Sequence, residues 1–256
     1  MKLSFTADGM MKMLDINSKV SVLLTNPISA NTVMTAMEMC LSGEPMLEYV
    51  RYDDKLGCAS KEVTGASLAF ASGERVQIGL QDGSWHYTAD RRLKTACIRC
   101  MPCEKGYRYR MLFMDTQSLT EEEKKRVSHN FLVYSDLFSS AEWTRIINGM
   151  NAICGFNFVQ ISGDKTEIIM NKSLCDSDEI YYTLRSIYFI WAMCVVKTMK
   201  KFVLLDIDAT AESARYMYKL VDMLSSCDIA NILVYAGNLS FADTLPLKSK
   251  HTMLRA

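Results

Sequence analysis

A chain of 256 residues that is 49% hydrophobic can bury a substantial core, so one large α/β-sized domain spanning 1–256 is expected rather than a disordered segment. Lys+Arg and Asp+Glu balance at 29 each, which excludes a general polyanion binder but leaves room for a local basic patch. No apolar run approaches the ~18 residues of a membrane span. Nine scattered cysteines, an odd number, read as reduced cytosolic thiols rather than a disulfide framework, so a cytoplasmic protein without membrane contact is expected.

The first 40 or so residues predict a strand or hairpin, a buried strand at Val20–Leu24, and a Met- and Ala-rich helix ended by Ser42-Gly43-Glu44-Pro45. Residues 46–115 change character. Short runs (Leu47–Tyr52, Ser67–Ala71, Val76–Leu80, Ser84–Thr88, Tyr107–Phe113) alternate with turn pairs and predict an antiparallel meander lobe. Residues 116–155 turn helical, with a Thr120-capped acidic turn and an amphipathic helix over Ser139–Cys154. A hairpin follows around Gly163-Asp164. The last third reads helix (Ser177–Lys197), buried strand (Phe202–Asp206), helix (211–226) and buried strand (Asn231–Tyr235), the pattern of a parallel sheet covered on both faces. The final dozen residues look polar and loosely tied down.

Several motifs have plain explanations. Cys97, Cys100 and Cys103 form two overlapping C-x₂-C pairs, one ligand short of the four that zinc prefers, with Cys58 or His86 as conceivable fourth ligands. Reduced thiols are the simpler reading, and structural zinc is the alternative. No G-x-S-x-G elbow accompanies His86, His129 and His251, so a serine hydrolase has no support. The methionines, clustered at Met10–Met13 and Met34–Met46, suit core packing or an adaptable partner-binding face.

Residues Thr25–Thr32 sit where a phosphate-gripping loop is expected between strand and helix. The pattern G-x-x-x-x-G-K-[ST] would place glycines at Thr25 and Ala30, and lysine at Asn31; only the hydroxyl of Thr32 is kept. With Ser29, these residues provide neither a flexible backbone cradle nor a positive charge. The order of strand, degenerate loop, β meander, helices, serine-and-acid turn and strand ending in aspartate resembles the ATPase head of the ABC/SMC/Rad50/RecF-like superfamily, across roughly residues 15–240. The resemblance implies a P-loop NTPase-like, mostly parallel sheet flanked by helices, with the meander inserted. It sets the signature turn on Leu174, Cys175, Asp176, Ser177 and Asp178, and the metal-binding acid on Asp206. The catalytic glutamate position holds Ile207, and the phosphate-sensing histidine position holds Gly237. Carboxylates at 176 and 178 would cap the following helix themselves and repel a nucleotide.

All four sites depart in the non-catalytic direction. The resemblance therefore implies a pseudo-ATPase with no catalytic residues and no expected ATP or Mg²⁺. It would pair with itself or with an active ATPase in a DNA-handling or defence-type complex, touching nucleic acid only through that complex. Two alternatives stay open. One is a divergent nucleotide-binding ATPase gripping phosphate through backbone N–H groups, Thr32 and Arg91, Arg92 or Lys172. The other is a zinc-stapled nucleic-acid adaptor using Arg91-Arg92-Leu93-Lys94.

Overall fold

The computed structural model describes residues 1–45, 61–90, 93–114, 119–127, 135–164, 167–227, 231–237 and 245–256. The expected strand Leu47–Tyr52, together with Cys58, Arg91, Arg92 and His129, lies outside the described residues.

Among the described residues two sheets share one helix, and a short antiparallel hairpin of β9 (Val159–Ile161) and β10 (Ile168–Met170) stands apart from both. The larger has six strands: β3 (Val20–Leu24), β7 (Thr95–Cys103), β8 (Gly106–Met114), β11 (Lys200–Asp206), β12 (Asn231–Tyr235) and β13 (Thr252–Arg255), in the order β13-β3-β12-β11-β7-β8. All its pairings are parallel except the β7–β8 hairpin. The smaller sheet is antiparallel. It has β1 (Lys2–Ala7), β2 (Met10–Asp15), β4 (Val63–Ala69), β5 (Arg75–Gln81) and β6 (Ser84–Ala89), in the order β2-β1-β4-β5-β6. A mostly parallel sheet with helices against it and a separate antiparallel lobe is the ABC-head-type α/β arrangement that the motif order implies.

Helix α1 (Pro27–Ser42) lies between the sheets, and that position explains its composition. Every residue from Thr32 to Leu41 is buried, because one side meets the parallel sheet and the other meets the antiparallel lobe. A helix covered on all sides needs no polar stripe. On the far face of the parallel sheet pack α3 (Ser140–Cys154), α4 (Asp178–Val195) and α5 (Ala214–Ser226). Strand alternation divides the two cores cleanly. Phe202 and Leu204 point toward α1, whereas Val203 and Leu205 point toward α4 and α5.

Two sequence expectations are corrected. The meander read over 46–115 does not stay in one sheet: β4, β5 and β6 join the antiparallel lobe, while Thr95–Cys103 and Gly106–Met114 join the parallel sheet. The apolar, buried run of β7 is that of an interior strand, which pairs with β11 on one side and β8 on the other. The tail is also tied down. Its last residues form β13, parallel to β3, with Leu254 buried and the Thr25 hydroxyl donating to the Ala256 carbonyl at 2.9 Å.

Candidate functional site: the Asn31, Arg99 and Asp206 cluster

The segment Thr25–Thr32 is not a loop. Asn26 caps a helix that already starts at Pro27: its side chain accepts from the Ser29 N–H, and Ala30 N–H bonds the Asn26 carbonyl at 3.0 Å. Asn at the cap and Pro at the first helical position stabilise a helix start. Pro27 has no N–H, the Ser29 N–H is taken by the Asn26 side chain and the Ala30 N–H by the Asn26 carbonyl, so these groups are not turned toward an anion. Ala30 is buried, and the Thr32 hydroxyl donates to Ile28 O at 2.7 Å and accepts from Lys61 N–H at 3.0 Å. The proton of that hydroxyl and one of its lone pairs are taken by protein.

Asp206 stands at the C-terminal end of β11, on the face that meets α1. Its Oδ2 lies 2.6 Å from Arg99 Nη2, with the Arg99 side chain 1% exposed. Arg99 comes from β7, beside β11, and the same Nη2 donates to Asn31 Oδ1 at 3.0 Å. One guanidinium thus joins the lysine position of the degenerate loop to the metal-ligand position of the strand. Burial pushes the Asp206 carboxyl upward, and Arg99, as both charge and donor, pulls it back. Glu38, about two turns beyond Asn31 along α1, is 2% exposed, and burial pushes it up to about 6 against the pull of Arg99 and Arg110. The cluster is a buried patch of two acids and Arg99, with Arg110 close enough to be felt.

Sequence reading missed Arg99 and Glu38. A signal existed: each is an isolated charge inside an apolar element, Ala96-Cys97-Ile98-Arg99-Cys100-Met101 and Ala36-Met37-Glu38-Met39-Cys40. Opposite charges stranded in two apolar elements are buried together or not at all.

Ile207, at the expected glutamate position, is 2% exposed, and its N–H bonds Tyr235 O at 2.7 Å. Gly237 follows β12 with φ +59°, its nearest neighbours being Ala209 and the Ile207 carbonyl. These two positions come together; neither carries a polar side chain. The signature-turn residues lie elsewhere, ahead of α4. Lys172–Leu174 form a 3₁₀ turn, Leu174 is exposed, and the Cys175 N–H bonds Lys172 O. Ser177, not Asp176 or Asp178, supplies the cap, accepting from Ile180 N–H. Asp178 pairs with Lys172 at 2.8 Å on the surface. That pairing also occupies the lysine considered for phosphate.

The cysteine cluster does not converge. Side chains alternate along a strand, so Cys97 and Cys100, three residues apart, enter opposite cores: Cys97 toward α1 and Cys100 toward α4. Cys103 shares a face with Cys97 but lies about 20 Å along the strand. Burial raises both Cys97 and Cys100, the inert direction for a thiol. Among the described residues no group of three or more His, Cys, Asp or Glu is arranged to hold a metal. His86 is exposed on β6.

A magnesium nucleotide needs a backbone cradle, a cation on the phosphates and a free carboxylate and hydroxyl for the metal. The residues present do not fit it: the helix start stands where the cradle would be, the cation position is Asn31, the Thr32 hydroxyl is engaged by the protein, and Asp206 spends Oδ2 on Arg99, leaving a buried Oδ1 without a hydrogen bond among the described residues.

No family model and no curated protein matches this sequence. Among solved structures, the chain is similar to the SMC head domain from Thermotoga maritima, with 9% sequence identity and a TM-score of 0.46 over 92% of this chain and 88% of that one.

Proposed function

We propose that this chain is a catalytically inactive, ATPase-head-like interaction subunit whose own arginine takes the place of a nucleotide-bound metal. The observation that carries the reading is the link from Asn31 through Arg99 to Asp206. A carboxylate with a guanidinium at 2.6 Å already has its countercharge, so a metal must displace a buried cation to reach it. Asn31 accepts from that cation and gives no charge to a triphosphate. Ile207 can neither orient nor deprotonate an attacking water.

The rest of the proposal follows from the motif order: a head that keeps its architecture without fuel serves as a scaffold or regulator. It pairs with a second copy or with an active ATPase, in the cytoplasm, within a DNA-handling or defence-type assembly. Purified protein is expected to release no phosphate from ATP and to show no calorimetric binding of Mg-ATP at micromolar concentrations. Turnover, or saturable binding abolished by Asp206→Ala, overturns the inactive reading. Sedimentation velocity across a concentration series tests self-pairing, and a chain that stays monomeric throughout leaves only the heteromeric form.

A further inference from the structure

The parallel sheet has a second end. At the N-terminal ends of β3, β12, β11 and β7, away from Thr25–Thr32, an open cleft of about 1060 Å³ lies between the strand starts and the Phe70–Ser72 turn of the antiparallel lobe. Four lysines line it, Lys19, Lys94, Lys197 and Lys200, with no Asp or Glu among the described lining residues. In a chain of zero formal net charge, that is a marked local asymmetry. Lys197 and Lys200 are exposed and make no ion pair among the described residues. Lys19 donates to the Cys227 carbonyl just past α5. Lys94 is close enough to Glu123 to stabilise that carboxylate, so it is the most compensated of the four.

The spacing restricts the ligand. Lys19 precedes β3 and Lys94 precedes β7, three strand intervals away, a span of about 14 Å at the usual inter-strand distance. A single phosphate ion cannot bridge it; a ligand with several anionic groups in a row can. A peptide is a poorer fit. The strands at this cleft are interior, so they offer no sheet edge for strand addition, and the ring of Phe202 is already covered, edge-on to Phe70 with centroids 5.9 Å apart. Beside the apolar edge of Met1, Phe70 and Ala71, the polar groups the cleft presents are ammonium, hydroxyl and amide. Lysine presents a hydrated point charge on a flexible stem, suited to following a charged backbone rather than reading a planar group.

We infer that this lysine cleft binds a chain of phosphate groups, so that anion binding resides at the end of the sheet opposite the Asn31, Arg99 and Asp206 cluster. The phosphates can come from a single nucleic-acid strand or from a free oligophosphate, and the two sources are separable. Anisotropy of a fluorescein-labelled single-stranded oligothymidylate reads the first, and calorimetry with sodium tripolyphosphate reads the second, both on the whole chain. Four lysine–phosphate contacts to a single strand predict a slope of log K against log salt of about −3. The double variant Lys197→Glu/Lys200→Glu, two exposed side chains whose exchange leaves the thermal melt unchanged, is expected to weaken binding at least about tenfold. Lys105→Glu, in the β7–β8 turn at the other end of the sheet, leaves it unaltered. Oligothymidylate binding that tripolyphosphate does not displace assigns a nucleic-acid strand; binding of tripolyphosphate alone assigns a free oligophosphate. If neither probe binds at low salt, or if the double variant binds as tightly as the parent, the inference fails.

Discussion

Arg99 Nη2 lies 2.6 Å from Asp206 Oδ2, at the junction of two neighbouring parallel strands and beneath a helix that is buried all round. Neither charge can retreat to water, so each depends on the other. Removing one partner leaves an uncompensated buried ion, which costs far more than the pair contributes. Arg99→Ala is therefore expected to lower unfolding free energy by about 3–5 kcal/mol. The double replacement Arg99→Met/Asp206→Leu is expected to regain most of that loss. Urea denaturation of the three proteins checks both; a single variant as stable as the parent contradicts the coupling.

A lysine introduced at position 31 should not confer nucleotide binding. Asn31→Lys places an ammonium where Asn31 Oδ1 now accepts from Arg99. Two cations about 4 Å apart repel by about 4 kcal/mol at an effective dielectric of 20, and partial exposure of residue 31 reduces this to about 2 kcal/mol. The expected result is a destabilised protein whose melting temperature does not rise with Mg-ATP. An increase with nucleotide would show that the cradle can still form.

Much of the fold was legible because β11 and β12 are unbroken apolar runs separated by an amphipathic helix, a pattern that few arrangements other than a parallel sheet satisfy. The loop itself was misplaced although its signal was visible: Asn26-Pro27 is a cap followed by a first helical residue, so the helix begins before Ser29. Strand β7 was hidden by its cysteines, whose spacing suggests a metal until alternation is applied to them. Strand β13 is short, and only Leu254 of its four residues is buried, too little periodicity to read. The Arg99–Asp206 contact joins residues 107 positions apart, and no local pattern specifies which buried cation meets which acid.

Gly149 marks a close approach of α3 to α4. A Cβ there would overlap the indole of Trp191 well inside van der Waals contact. The indole cannot retreat easily, since its Nε1 donates to the carbonyls of Arg145 and Ile146 on α3, each at 3.3 Å. Gly149→Ala is expected to cost about 3 kcal/mol, the upper end for overpacking, despite alanine's better helix propensity. Thermal denaturation checks the magnitude, and a shifted tryptophan emission would place the strain. A neutral or stabilising result would mean that the helices separate freely.

Glu38 gives the buried cluster a pH dependence whose sign can be worked out. Burial, the largest influence, raises its carboxyl to about 6 from 4.5, with Arg99 and Arg110 opposing and Asp206 adding to the rise. The native state thus holds this proton more tightly than the unfolded chain does. Its contribution is complete below about pH 4.5 and is lost as pH rises through about 6, amounting to about 2 kcal/mol. Glu38→Gln carries no such proton. The variant should therefore match the parent near pH 4.5 and gain on it by about 2 kcal/mol by neutral pH. Paired urea titrations across that window test it. A difference between the two proteins that stays constant with pH would mean Glu38 titrates as it does in water, and the cluster around Arg99 would then be open to solvent.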